Sequence, residues 1–389
     1  MQRRFTLGIE EEFQLVDAQT GELRSVSPRV LEKCGVYFGE QRIKPEILQS
    51  MVEHASTILP NIQAAREELY ATRATLSRCL TEEGLALISA GTHPGALWWE
   101  HRLSDEERYH QIEAEYQDVG RSVMVFGLHI HVSLGSQEMA VALMNQVRNW
   151  LPHLLALSSN SPFWMKRMTG IKSYRSVVWR RFPRSGTPEL FVSAGHFERY
   201  VQDLIEMGCI DNAKKIWWDV RPHPFYGTLE FRICDMPATL EDTLALAALC
   251  QALVAKLTWL YERGEHLPVL ERDYLEENKW RAVRYGLDAE VLDFVRRRRL
   301  NMRDAIHELL EFVDDVVDEL GIQREVLYLH SLISDPRGTG ADRQIALYEA
   351  GGDIEAVQRY LMHQTLQGIA PDELNPPRQA MHFFAPEPM

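Results

Sequence analysis

Hydrophobic and polar residues alternate with a period of two along the segment FTLGIEEEFQLV, residues 5–16. Successive side chains of a strand point to opposite faces, so the pattern predicts a β-strand with one buried face. Its apolar face consists of Phe5, Leu7, Ile9, Phe13 and Leu15. The opposite face carries Glu10, Glu12 and Gln14. Glu11 falls on the apolar face, where either a buried arginine partner or the end of the strand would explain it.

Two later segments, residues 122–135 and 228–235, repeat this two-faced pattern. Their apolar faces are Phe126, Leu128, Ile130, Val132 and Leu134 in the first, and Leu229, Phe231 and Ile233 in the second. The opposite faces carry Gly127, His129, His131 and Ser133 in the first, and Glu230, Arg232 and Cys234 in the second. Simple surface strands usually carry Thr, Lys and Ser instead. The three segments therefore predict a sheet whose second face lines a polar cleft.

Most of the remaining chain has helical patterns. Predicted helices cover about 61–83, 105–119, 137–157, 196–207 and 239–263, and a short strand covers 85–91. The first helix begins after Pro60 and ends at Gly84, and the last begins with a capping box, TLED at Thr239. The segment 162–188 is predicted to be irregular. From about residue 271 onward only helical patterns remain.

The composition restricts the class of protein. With 389 residues and 45% hydrophobic content, the chain can bury the core of one large domain or two ordinary ones. The net charge of -14 argues against nucleic acid or an anionic membrane as the main partner. No run of about 18 apolar residues predicts a membrane span. The N-terminus makes a poor signal peptide, because glutamates interrupt its apolar stretch, so we expect a cytoplasmic protein.

The five cysteines are scattered and form no CxxC motif. This distribution is typical of reduced cytosolic thiols rather than of a disulfide framework or a zinc ribbon. The sequence also contains no Walker A loop, no HExxH and no GxSxG. A nucleotide would therefore be bound without those devices.

Glu10 and Glu12 predict a cation site on the polar face of the first strand. Their Cα atoms lie roughly 6.6 Å apart in an extended chain. Carboxylates this close raise each other's pKa unless a cation lies between them, and hard oxygens suit Mg²⁺ or Mn²⁺. Each of the two glutamates could bind one of two metal ions, as in phosphoryl-transfer sites. The alternative is a solvated edge strand.

Further charged candidates each have a structural alternative. Glu46 and Glu53 in KPEILQSMVEH are seven residues apart, so on a helix both would point the same way, either to a site or to solvent. His129 and His131 could instead be a hydrogen-bonded pair within the sheet. Glu230 and Arg232 could belong to a cross-strand ion-pair ladder. The run RRRR at 296–299 is predicted to be a solvated helix face.

Six motifs follow one another between residues 8 and 235: GIEEEFQLVD, KPEILQSMVE, GTHP, GLHIHV, SYRSVVWRRFPRSGTP and WDVRPHPFYGTLEFRICD. Together they resemble the bacterial carboxylate–amine ligase family related to glutamate–cysteine ligase, its type 2 branch, and the likeness runs in the same order from the first strand to about residue 370. The resemblance implies an α+β, glutamine-synthetase-like catalytic fold. In that fold a curved, mostly antiparallel sheet lines a cleft for ATP and Mg²⁺ (or Mn²⁺), with helices on its outer face.

The same resemblance implies an ATP-dependent ligase that joins a carboxylate, typically the γ-carboxylate of glutamate, to an amine through an acyl phosphate, with ADP and phosphate as products. By motif match the metal ligands are Glu10, Glu12, Glu53, Glu230 and His129, with Glu46 and His131 as weaker candidates. Arg232 would contact the transferred phosphoryl group, because a guanidinium fork suits phosphate oxygens. Arg175 and Arg221 would bind phosphate or carboxylate, Arg175 with a catalytic role beside Arg232.

The organisation expected from the sequence is a catalytic core over residues 1–270, a helical part over 271–370 packed on the same core, and a loosely held tail over 371–389. Apolar helical surface in the C-terminal third leaves a homodimer open. Two other functions stay open as well. One is a nucleotide- or metabolite-binding protein with a vestigial site, and the other is a zinc-dependent hydrolase using His129 and His131 with a glutamate.

Overall fold

The computed structural model describes residues 5–38 and 42–369. Its strands are β1 Leu7–Asp17, β2 Ile43–Pro45, β3 Met51–Ala55, β4 Leu85–Ile88, β5 Gly127–Ser133, β6 Phe163–Trp164, β7 Arg167–Met168, β8 Ser185–Gly186, β9 Trp217–Trp218, β10 Val220–Pro222, β11 Thr228–Asp235, β12 Glu290–Asp293 and β13 Arg298–Asn301. Its helices are α1 Ser27–Cys34, α2 Ile62–Thr81, α3 Glu107–Tyr116, α4 Asp118–Arg121, α5 Gln137–Val147, α6 Leu151–Ser158, α7 Tyr174–Trp179, α8 Ala194–Glu206, α9 Leu240–Glu262, α10 Arg272–Tyr285, α11 Met302–Leu320, α12 Gln323–Ser334, α13 Gly340–Glu349 and α14 Ile354–Thr365.

The central sheet has the strand order β10-β11-β5-β1-β3-β2, and β4 also pairs with β1. Every neighbouring pair in this sheet is antiparallel. The apolar faces of β1, β5 and β11 are buried, and α2, α5, α6 and α9 pack against these strands. The predicted α+β class, with a mainly antiparallel sheet and outer helices, is confirmed.

Helix α9 is the main helix of the core. It is long and apolar enough to cross a membrane, yet 83% of its most apolar 18-residue window is buried inside the protein. Thr239 caps its first turn by accepting a hydrogen bond from the Asp242 amide, as the TLED motif predicted. The apolar character of this helix is therefore explained by burial in the protein core.

Glu11 has a buried arginine partner, which is one of the two explanations left open by the sequence. The Arg73 Nη2 atom lies 2.5 Å from Glu11 Oε1, and both side chains are fully buried. The Thr243 hydroxyl donates to the same carboxylate oxygen over 3.2 Å. The ion pair thus ties β1 to α2, and the Thr243 hydrogen bond ties it to α9, on the apolar side of the sheet, opposite Glu10 and Glu12.

Two charged segments predicted as helical are in fact extended. Glu53 lies in β3 and Glu46 directly follows β2, so the two-turn helical spacing predicted for them is wrong. The arginine run at 296–299 lies in the turn and second strand of the β12–β13 hairpin. Arg298 there pairs with Asp293, over 3.1 Å, so the strand pairs charge across the hairpin instead of presenting a helix face.

Smaller features also depart from the prediction. The helix expected over 137–157 is interrupted by a 3₁₀ turn at Arg148–Trp150, and the next helix, α6, begins at Leu151 with Pro152 in its first turn. The segment 162–188 contains the short helix α7. A bulge between Phe231 and Cys234 shifts the register of β11, so Cys234 lies opposite Leu128 on the apolar side.

A disulfide bond joins Cys34 in α1 to Cys79 in α2. The expectation that all five cysteines are free thiols is therefore wrong for this pair, while Cys209, Cys234 and Cys250 are free. The predicted tail at 371–389 lies outside the described residues. Helices beyond residue 271 contribute to the same hydrophobic cluster as the sheet, and the proposed boundary at 270 stays a prediction.

Candidate active site

The polar face of the sheet brings most of the predicted site residues together. Strand register places Glu10 opposite His129, and His131 opposite Glu230. Glu12 lies opposite Glu53 on the other side of β1. Alternation predicted which side chains of β1, β5 and β11 share this face, whereas Glu53 reaches it through β3, which the sequence did not predict; antiparallel pairing of the four strands makes these side chains neighbours.

The first cluster consists of Glu10, His131 and Glu230. Each offers a ligand atom, and these atoms all lie within 4.8 Å of one another. The His131 Nε2 atom lies 3.5 Å from Glu10 Oε1, and its Nδ1 atom lies 3.0 Å from the Thr228 hydroxyl, which fixes the ring. His129 lies beside the cluster, with Nδ1 3.0 Å from Glu10 Oε2. Two carboxylates and one imidazole are a donor set suited to a divalent cation.

Electrostatics prepare this first cluster for a cation. Burial raises the pKa of Glu10, but hydrogen bonds from His129 and His131 outweigh it and hold the pKa well below its usual range. Burial, helped by the Arg232 charge, lowers the pKa of His129 to about 4. Glu10 is therefore an anion and His129 a neutral imidazole.

The second cluster contains Glu12, Glu53 and Glu46. Burial, followed by repulsion from Glu46, raises the pKa of Glu12 to about 8. Burial and the charges of Glu10 and Glu46 raise the pKa of Glu53 well above its usual range. Lys44, with Nζ 3.7 Å from Glu53 Oε1, is one cation near this group. Such crowding of buried carboxylates is relieved when a divalent ion binds between them.

Arg221 is occupied by internal contacts. Its Nε and Nη2 atoms donate to the two oxygens of Glu230 over 2.6 and 3.2 Å, and Nη1 donates to the Lys214 and Ile216 carbonyls. The cross-strand ion pair considered for Glu230 is therefore present, with Arg221 as the partner across the strands. This geometry orients the Glu230 carboxylate within the first cluster.

Arg232 also donates to Glu230, through Nη1 over 2.5 Å, and its guanidinium lies 6.0 Å from the centre of the Trp179 ring. Its Nε atom is buried and has no hydrogen-bond partner among the described residues. Burial lowers the pKa of Arg232, but the Glu230 charge outweighs it and raises the pKa above the usual value. The guanidinium is therefore a positively charged group held in place, and its Nε–H group makes no hydrogen bond within the described residues.

Arg175 lies at the other end of the polar face. Its Nη1 and Nη2 atoms donate to the carbonyls of Ile233 and Arg232, and its buried Nε has no partner within the part of the chain that the structure describes. A Cβ at position 127 would lie 2.3 Å from Nη2, so this close approach requires Gly127. The Gly127 amide in turn donates to Glu12 Oε2 over 2.5 Å.

Sequence reasoning missed three residues that build this end of the site: Gly127, Trp179 and Asp235. Asp235 accepts from the Asn160 amide and from the Ser161 and Ser173 hydroxyls, over 2.6–2.9 Å. Ser161 also accepts from the Arg175 amide. Asp235 thereby holds the segment that leads into α7, the helix that carries Arg175. In the sequence, only the lack of a side chain at position 127 could have pointed to a close contact there, and no local pattern marks Trp179 or Asp235.

Comparisons with known proteins agree with this architecture. A sequence model described as glutamate–cysteine ligase family 2 matches residues 6–360. A protein of Chloroflexus aurantiacus, provisionally named glutamate–cysteine ligase 2, is 47% identical over 94% of this chain and 93% of its own length. A relative of Sorangium cellulosum with the same provisional name is 48% identical over 94% of this chain and 97% of its own.

Two solved structures share the fold. A glutamate–cysteine ligase of Francisella tularensis, solved in complex with AMP, has a TM-score of 0.70 at 13% identity and covers 95% of this chain and 91% of its own. A bifunctional glutathione synthetase of Pasteurella multocida has a TM-score of 0.66 at 17% identity and covers 93% of this chain and 51% of its own. These likenesses concern the fold, and they confirm the predicted glutamine-synthetase-like class.

Proposed function

The chain belongs to glutamate–cysteine ligase family 2, and on that premise we propose that it is an ATP-dependent carbon–nitrogen ligase. The carboxylate substrate is the γ-carboxylate of glutamate or of a similar amino acid, and the second substrate is an amine. The carboxylate oxygen attacks the γ-phosphorus of ATP and displaces ADP, which gives an acyl phosphate. The amine then attacks the acyl carbon, phosphate leaves, and an amide is formed.

The two anions that react first must be brought together against their repulsion. Divalent ions, Mg²⁺ or Mn²⁺, would neutralise the phosphate charge when bound. Glu10, His131 and Glu230 would hold one ion, and Glu12 and Glu53 a second. The chemistry of these donors fits that role, because hard carboxylate oxygens dominate both groups.

The chain's own side chains do the remaining work. Arg232, whose Nε has no hydrogen-bond partner among the described residues, would turn its guanidinium toward the transferred phosphoryl group, and Arg175 would do the same for a substrate oxyanion. Arg221 keeps Glu230 oriented through two hydrogen bonds. His129 supports Glu10 from the side. Hydrogen bonds to Glu230 and to the Arg232 and Ile233 carbonyls hold the two guanidinium groups in place before substrate arrives, which limits reorganisation during the reaction.

One observation supports the proposal most strongly: the ligand atoms of Glu10, His131 and Glu230 converge within 4.8 Å beside a buried arginine that has a donor to spare. The experiment is a screen of amino acids paired with amines for ADP formation, with the mass of any product measured. We expect ADP release only when both an amino acid and an amine are present. Tight ATP binding without turnover by any pair would instead favour the vestigial binding protein.

A zinc hydrolase built on His129 and His131 fits the geometry less well. Among the described residues, the converging donor group includes His131 but not His129, whose Nδ1 is taken up by Glu10. Zinc sites favour nitrogen and sulfur ligands, whereas this group has two carboxylates. Metal analysis of the purified protein separates the two functions. Stoichiometric zinc would favour the hydrolase, and weakly held magnesium the ligase.

A further inference from the structure

We propose that the tip of the β10–β11 hairpin is the stacking surface for the purine base of the nucleotide, with Tyr226 as its central residue. This inference rests on the proposed function, because it assumes that a nucleoside triphosphate binds with its phosphates at the acidic clusters. It assigns to His223, Phe225 and Tyr226 a role that the acidic residues and arginines do not fill.

The polar face of the sheet has two chemically different ends. Arg175 lies at one end, beside Gly127, whose amide donates to Glu12, and Trp179 belongs to the same short helix α7. The opposite end follows from the antiparallel register, in which Thr228 at the start of β11 lies across from Ser133 at the end of β5. The hairpin tip directly precedes Thr228. The ligase needs one region for the base of the nucleotide and another for the amino acid, and Arg175 suits the amino-acid carboxylate.

The hairpin tip is an ordered aromatic surface. The His223 Nδ1 atom lies 3.3 and 3.2 Å from the backbone amides of Phe225 and Tyr226, which donate to it and fix the turn. The rings of His223 and Tyr226 stack with centroids 4.0 Å apart and planes only 11° apart. Phe225 and Tyr226 are nonetheless 63% and 62% exposed. Two neighbouring exposed aromatic rings on a fixed turn are typical of a binding surface.

This aromatic surface adjoins the first cluster through His131, whose imidazole ring lies next to both. The His131 ring centroid lies 5.3 Å from that of His223 and 6.0 Å from that of Tyr226. The same His131 ring has its Nε2 atom 3.5 Å from Glu10. A nucleotide whose phosphates lie at Glu10 and Glu230 would therefore extend its base toward the exposed face of Tyr226.

The charge around the tip also suits a nucleotide. The Lys214 Nζ atom lies 5.2 Å from the Phe225 ring centre, so a cation borders the surface. A base binds aromatic side chains through its π face without needing specific hydrogen bonds, and this explains why a flat, exposed ring suffices. The base would extend the His223–Tyr226 stack by one ring.

The test measures binding rather than turnover. Titration calorimetry with Mg²⁺ compares a non-hydrolysable ATP analogue with inorganic tripolyphosphate, which has a triphosphate chain but neither ribose nor base. We expect Tyr226→Ala to weaken binding of the analogue about tenfold, which is about 1.4 kcal/mol, and to leave tripolyphosphate binding unchanged. Tyr226→Phe should restore the affinity, because it keeps the ring.

Tyr274→Ala is the matched control. Tyr274 is 46% exposed and stacks on Phe294 with centroids 4.2 Å apart, so the variant removes a similar exposed ring elsewhere. It should bind both ligands as the wild type does. Equal binding of the analogue by Tyr226→Ala and the wild type would overturn the inference. So would an equal loss for both ligands, or a change of oligomeric state as the sole effect of Tyr226→Ala.

The outcomes also separate this inference from the ligase proposal. If the wild type prefers the analogue over tripolyphosphate through Tyr226 but forms no ADP with any substrate pair, the stacking surface stands and the ligase proposal fails. If ADP forms normally and Tyr226→Ala has an unchanged KM for ATP, the ligase proposal stands and the stacking surface is refuted.

Discussion

Glu11 and Glu12, adjacent in β1, should respond in opposite ways when each is replaced by glutamine. Glu11→Gln removes the counter-charge of Arg73, and both side chains are fully buried. Arg73 keeps its bonds to the Thr365 carbonyl and the Thr243 hydroxyl, but these are neutral partners. A buried guanidinium without a counter-charge is costly, so we expect this variant to lose stability while the polar face stays intact.

The magnitude follows from the burial of the pair. Breaking a buried ion pair from one side costs about 3–5 kcal/mol. Spread over the unfolding entropy of a chain of this length, that corresponds to a fall in Tm of about 5 °C. Urea unfolding followed by tryptophan fluorescence, together with a thermal scan, measures both quantities. Glu11→Leu combined with Arg73→Met should recover most of the loss, because neither charge is then left unpaired.

Glu12→Gln is the matched control, one residue away on the other face. It removes one of several crowded carboxylates, so the metal-free protein should unfold at the same denaturant concentration or a higher one. Its ADP formation should fall by orders of magnitude. The reasoning is refuted if Glu11→Gln is as stable as the wild type, or if it loses turnover at full stability, since Glu11 would then act in the site.

Three further substitutions test other parts of the structure. Arg232→Ala should lower kcat for ADP formation about 10²–10³-fold, as loss of a fixed donor to developing charge does. The control Arg299→Ala, at an exposed arginine, should leave kcat unchanged. Similar rates for both variants would exclude the role of Arg232. Arg148 is fully buried, and none of its side-chain nitrogens has a hydrogen-bond partner in the described ranges. Arg148→Met should therefore leave the free energy of unfolding unchanged or raise it by about 1–4 kcal/mol. A clear fall of this free energy, measured by urea unfolding, would show that Arg148 makes a stabilising contact. Cys34→Ser removes the disulfide bond to Cys79, which spans 45 residues, and should lower the free energy of unfolding by about 4 kcal/mol. The prediction is contradicted if a reductant leaves the unfolding midpoint of the wild type unchanged.

The two-faced strands could be predicted from the sequence because burial directly decides their pattern. One face of β1, β5 and β11 packs on helices, so apolar residues recur with the strand period and leave the acidic and imidazole side chains on the other face. Which strands pair is a tertiary matter, yet the shared polar face already indicated a common cleft. The unexplained Glu11 was informative in itself, since a buried charge demands a buried partner such as Arg73.

The errors arise where spacing fits more than one structure. Glu46 and Glu53 are seven residues apart, which suits two helical turns, but the chain turns back between them and pairs β3 with β1. Both residues still lie near the site, but strand pairing places them there rather than helical spacing. The pairing of Cys34 with Cys79 depends on the packing of α1 against α2, which no local pattern reveals. A cytoplasmic location and a homodimer stay predictions.

The central claim is that the polar face of the sheet binds divalent ions that carry the phosphates of ATP. Its most direct test is anomalous diffraction from crystals grown with Mn²⁺ and a non-hydrolysable ATP analogue. We predict one manganese peak among Glu10, His131 and Glu230 and a second beside Glu12 and Glu53, each in contact with phosphate oxygens. Phosphates bound elsewhere, with these carboxylates facing water and no manganese between them, would contradict the account.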